Sequence, residues 1–150
     1  MIGELVKILL EELELEFWSL GSTTLKNSNM AHGLEADDCF YIQNEAAVRG
    51  KNCIDLATDP PPDLAIEIDI TSRTQLNNYA ALGIPELWRY NGRNLQISVL
   101  QDGKYIKADR SLQFPNFPIA DLIPEYIGRS KTAGRNVAMK AFRALVRSQN

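Results

Sequence analysis

The chain has 150 residues, 45% of them hydrophobic and 23% charged, a mixture that suits one domain spanning 1–150 and excludes a disordered or fibrous chain. Two distant cysteines, Cys39 and Cys53, and one histidine, His32, exclude a disulfide framework and a zinc knuckle. A net charge of −3, no apolar run long enough to cross a bilayer and no basic-then-apolar leader after Met1 point to a cytoplasmic protein.

The opening IGELVKILLEELELEFW sets Ile2, Leu5, Val6, Leu9 and Leu13 at helical spacing, with glutamates on the other side. No capping residue precedes it, so the first helix is expected either to fray at its start or to be cut short there. FWSLGSTTLK follows as a strand, then the polar connection NSNMAHGLEAD, then a second strand in DCFYIQN. A short helix and a loop are expected over 44–59, where Gly50 and Asn52 break the pattern.

Pro60, Pro61 and Pro62 stiffen the approach to a strand over 63–70. Alternation along it puts Leu64, Ile66, Ile68 and Ile70 on one face and Asp63, Ala65, Glu67 and Asp69 on the other. Ser72 and Gln75 have the spacing of a capping box, and a helix over 73–82 should stop at Gly83, with Pro85 beyond it. ELWRYN and NLQISVL read as a hairpin around Gly92, and KYIKA adds a strand after Asp102-Gly103. IADLIPEYIG predicts a short helix interrupted by Pro124. The closing segment is an amphipathic helix with Ala138, Met139, Phe142 and Leu145 inward and Lys140, Arg143 and Arg147 outward. The order predicts a mixed α/β domain, a central sheet flanked by helices.

Charge is uneven along the chain. Glu4, Glu11, Glu12, Glu14 and Glu16 crowd the first segment, whereas Arg129, Lys131, Arg135, Lys140, Arg143 and Arg147 close the chain without an acid among them. A phosphate-binding patch fits this asymmetry, but a solvated helix face or a subunit contact is the commoner cause.

Chemistry narrows by elimination. Neither a Gly-rich phosphate loop nor a nucleophile with a neighbouring base is present, and carboxylates remain. Asp37 opens one predicted strand and Glu67 lies within another, so neighbouring strands would face the two acids toward each other. Asp69 lies about 6.5 Å further along than Glu67 at the usual strand rise. Such oxygen ligands suit Mg²⁺. An ion pair of Glu67 with Arg49 or Arg73 is the competing explanation, Asp37-Asp38 and Asp63 also suit ordinary turns, and Gln75 suits its cap.

The segments GLEADDCFYIQNE, PPPDLAIEIDITSRT and LNNYAALGIPELWRYNG, with SLQFPNFPIADLIP behind them, resemble the PD-(D/E)XK nuclease superfamily and its restriction-endonuclease-like family of short bacterial proteins. The resemblance implies a restriction-endonuclease-like fold, Mg²⁺- or Mn²⁺-dependent cleavage of DNA, and a homodimer. It assigns Asp37 to the PD element and Glu67 to the (D/E)XK element as metal ligands. Asp69 stands where the lysine belongs, Ala36 replaces the proline, and Gln75 occupies the position from which some relatives supply the lysine. The acid expected on the first helix has no clear equivalent, Glu4 and Glu11 being the nearest. An alternative therefore stays open, a catalytically impaired protein of the same fold serving as a nucleic-acid-binding or oligomeric scaffold.

Overall fold

The computed structural model describes residues 1–21, 23–25, 34–51, 53–68 and 73–149; for Thr23, Leu34 and residues 73–75 it describes the backbone alone. Within these, α1 (Ile2–Glu12) is followed by β1 (Trp18–Ser19), β2 (Thr23–Leu25), β3 (Leu34–Ala36), β4 (Asp38–Tyr41), α2 (Glu45–Val48) and β5 (Leu64–Ile68). Then come α3 (Arg73–Leu82), β6 (Glu86–Tyr90), β7 (Leu95–Gln101), β8 (Lys104–Ala108), α4 (Ile119–Ala133) and α5 (Arg135–Gln149). The mixed α/β class is as expected. Six strands form one sheet in the order β1-β4-β5-β6-β7-β8, and β2 pairs with β3 in a small second sheet.

At the centre β5 and β6 run parallel, joined through α3, while β4 flanks β5 antiparallel and β7 flanks β6 antiparallel. A parallel pair needs a crossover, and α3 supplies it. Strand alternation then divides the protein into two cores. One face of the sheet carries Phe40, Leu64, Ile66, Trp88, Tyr90 and Ile97 against α1, α4 and α5. The other carries Cys39, Ala65 and Leu87 against Tyr79, Leu82 and Ile84, at and just beyond the end of α3.

Several expectations need correction. FWSLGSTTLK is two short strands rather than one, parted where Gly21 takes φ +64°. The polar connection hides β3. Pro124 does not interrupt α4, which runs 15 residues; it is the sixth residue, so only one early helical hydrogen bond is forgone. Ile68, expected inward, is 45% exposed at the end of β5. Gly3 of α1 packs against the Asp38 carboxylate so closely that a side chain there would require the carboxylate to move.

The charge asymmetry resolves inside the protein. Arg143 bonds Glu12 at 2.6 Å and Glu11 at 3.3 Å, Arg147 bonds Glu12 at 2.7 Å, and Arg135 bonds Glu4 at 2.6 Å. The basic helix is thus paired to the acidic one, which removes three of its arginines from any open phosphate-binding patch. Glu4 and Glu11 are engaged in the same clasp. Among the described residues no helix is long and apolar enough to cross a membrane.

Candidate metal-binding acid pair

The chain bends at Asp37, between β3 and β4. The β4–β5 register pairs Asp38 with Ile66, and continued by one residue it sets Asp37 opposite Glu67. Two hydrogen bonds hold this arrangement. The Asp37 amide donates to the Ile66 carbonyl at 3.1 Å, and the Ile68 amide donates to Asp37 Oδ2 at 2.7 Å. A side-chain oxygen here takes the place a backbone carbonyl would hold in an unbroken ladder, so the bend costs no lost bond.

Both acids lie on the α3 face, with Ala65 and Cys39, because Ile66 and Phe40 take the other face. Asp37 is exposed, whereas Glu67 is only 5% exposed. Tyr79, six residues into α3 from Arg73 and fully buried, donates its hydroxyl to Glu67 Oε1. Burial pushes the Glu67 pKa up to about 7. The Tyr79 hydrogen bond opposes that rise, and the neighbouring Asp37 adds to it by repulsion and by a shared hydrogen bond. Arg49 does not serve Glu67: it forms an ion pair with Glu45 at 2.5 Å. Among the described residues neither Asp37 nor Glu67 is ion-paired to a lysine or arginine.

Other acids have structural employment. Asp63 accepts from the amides of Ile42 at 2.6 Å and Asn44 at 3.0 Å and from the Asn44 side chain at 3.2 Å, tying the loop after β4 to the start of β5. Asp38 turns to the α1 face, and burial raises its pKa. Asp69 lies outside the described residues, as does the Gln75 side chain; the backbone of Gln75 is in the first turn of α3. Among the described residues no three His, Cys, Asp or Glu side chains cluster as a metal site, so Asp37 and Glu67 stand as a pair. Burial also raises the Cys39 thiol to about 12, which removes it as a nucleophile.

Sequence reasoning assigns Tyr79 no part in the site. Its place in the sequence, twelve residues after Glu67 on the following helix, carries no sign of a partner across the fold. Hard divalent ions favour carboxylate oxygens, and this pair sets an exposed Asp37 beside a buried Glu67, where a cation would relieve the mutual repulsion.

No curated protein matches the chain. The family model of Uma2, described as a putative restriction endonuclease, matches residues 1–128. A match over that span, on a mixed sheet of this form, means that the chain belongs to this restriction-endonuclease-like family within the PD-(D/E)XK group.

Proposed function

We propose that the protein is a Mg²⁺-dependent DNA endonuclease, able to use Mn²⁺, that hydrolyses phosphodiester bonds at the Asp37–Glu67 pair. The observation that carries this reading is the opposition of the two carboxylates in register, without a protein cation bound to either among the described residues. The pair lies near the carboxyl end of β5, beside parallel β6, the usual place for a ligand crevice in such a unit. Nucleases of this family type generally use divalent metals, and the donor set of two carboxylates fits a hard ion.

Asp37 and Glu67 would hold the ion, with Asp69 as a third carboxylate. Mg²⁺ bound there would make a water more nucleophilic and offset charge on the phosphate in the transition state. The chain's own part is orientation. The Ile68 amide fixes one oxygen of Asp37 and the Tyr79 hydroxyl fixes one oxygen of Glu67, so both ligands are aimed by second partners. Gln75 would hydrogen-bond the attacking water without bringing charge. A homodimer would set one acid pair against each strand of a duplex.

Incubation of supercoiled plasmid with the protein and Mg²⁺ or Mn²⁺ tests this. The expected result is metal-dependent nicking, reduced about 100-fold or more in Glu67→Ala. A second reading, the nucleic-acid-binding scaffold, is favoured by Asp69 in place of the lysine. It predicts plasmid that is bound with strong salt dependence and stays intact, and that outcome would overturn the enzyme.

A further inference from the structure

Arg89 is the parallel-strand partner of Glu67, and Gln96 is in turn the partner of Arg89. Trp88, Tyr90, Leu95 and Ile97 pack into the α1–α4–α5 core, so alternation sends Arg89 and Gln96 to the opposite face, the one carrying Glu67. Lys107 shares that face, since its partner is Ser98 and its neighbour Ala108 packs on the other side. Arg89, Gln96 and Lys107 also line a cleft of about 720 Å³ with Asn91 and Asn94 of the β6–β7 turn; Ile97, Ala108, Ala120 and Asp121 close it from the α4 side, and neither Asp37 nor Glu67 borders it. At the usual strand spacing, Arg89 stands about 4.8 Å from the Glu67 backbone and Gln96 about 10 Å.

Arg89 differs from most other described arginines. Arg49, Arg129, Arg135, Arg143 and Arg147 are all ion-paired, and Arg110 donates to the Pro115 carbonyl. Arg89 has no ion pair among the described residues, and its Nε is buried without a hydrogen-bond acceptor. A buried donor left without an acceptor is rare in folded proteins and leaves Arg89 Nε open to a water or a ligand oxygen. The acids of the cleft, Asp109 and Asp121, come from beyond the end of β8 and from the first turn of α4, not from β5 or β6.

We propose that Arg89, continued by Gln96 and Lys107, forms the wall that binds the phosphate backbone of DNA and sets its register against the Asp37–Glu67 pair. The inference rests on the nuclease reading for what lies beside the wall, but the wall itself is defined by binding. A guanidinium offers a phosphate two parallel donors, which a lysine does not. Arg89 is a positioning residue: it touches the backbone of the substrate, and the acids carry the chemistry.

The test measures affinity for a fluorescein-labelled duplex oligonucleotide in EDTA from about 50 to 200 mM salt, alongside plasmid nicking in Mg²⁺ and Mn²⁺. Arg89→Gln should weaken binding about tenfold and lower the salt slope by about one, with Arg89→Lys restoring the slope but only part of the affinity. An Arg89→Gln protein with an unchanged melting temperature, affinity and slope overturns the wall, even where the wild type nicks plasmid and the nuclease reading stands. If Arg89→Gln fails to fold, Lys107→Gln decides: a slope lower by about one supports the wall, an unchanged slope overturns it. Wild-type protein that binds through Arg89 but leaves plasmid intact supports the wall and sinks the nuclease. Wild-type protein that does not bind the duplex overturns the wall.

Discussion

Two glutamates lie on adjacent parallel strands, and the protein treats them in opposite ways. Glu86 of β6 is fully buried on the α1–α4–α5 face, and four donors converge on it. Trp88 Nε1 and the Ser111 hydroxyl each reach Oε2 at 2.6 Å, while the amides of Leu112 and Gln113 reach Oε1 at 2.9 and 3.1 Å. Burial raises the Glu86 pKa, and the same four donors oppose that rise. Glu67 of β5, on the other face, has the Tyr79 hydroxyl as its donor and another carboxylate as its neighbour. A buried acid ringed by donors is a fastener, here pinning the segment after β8 to the sheet. A buried acid facing another acid is left short of donors, which is what the proposed metal role of Glu67 requires. The number of donors separates the two roles where burial alone does not.

The comparison is open to direct attack. Glu86→Ala strands a buried indole N–H, a hydroxyl and two amides, and should cost about 3–4 kcal/mol, a fall of roughly 10 °C in melting temperature by calorimetry. Glu67→Gln should act the other way. The folded pKa of Glu67 is raised to about 7 from an ordinary 4.5, so the folded state holds the proton more tightly than the unfolded one. That contribution to stability is complete below pH about 4.5 and is lost as pH rises through 7. Metal-free wild type should therefore melt lower at pH 8 than at pH 5, and Glu67→Gln should remove part of that fall and be a few degrees more stable than wild type at pH 8. A Glu67→Gln protein that melts far below wild type at pH 8 would make Glu67 a fastener like Glu86. The smallest effect belongs to Tyr79→Phe. It deletes one donor, should change stability by about 1 kcal/mol, and should move the wild-type melting-temperature fall to higher pH, because the Tyr79 bond lowers the Glu67 pKa.

The acid pair was visible in the sequence because strand alternation is a strict rule. The period of two separates Glu67 from Ile66, and the same rule places Asp37 on the matching face once β4 and β5 pair. What alternation cannot show is where cover stops, and so Ile68 reads as core although the helical layer does not reach it. The stop at Gly83 is legible in the sequence and α3 spans the expected 73–82, with the Ser72 cap outside the described residues, whereas three-residue β3, sitting in a polar stretch, has too few positions for any period to appear. The donors around Glu86 come from 2 to 27 residues away, and the acidic and basic helices meet across more than 130. Charge imbalance was evident in the sequence, but complementarity between segments that far apart is a property of the folded form alone. The same holds for Arg89, whose distinction is the lack of an ion pair among the described residues.

The clasp between α1 and α5 also bears on how the protein is made. Glu4 and Arg135 are separated by 131 residues, and the apolar side of α1 has its last cover only when α5 arrives. During synthesis on the ribosome, Leu5, Val6, Leu9 and Leu10 must wait for nearly the whole of the remaining chain before their final neighbours exist. A nascent chain halted before α5 would expose that sticky stripe to solvent, a natural target for chaperones and an early route to aggregation.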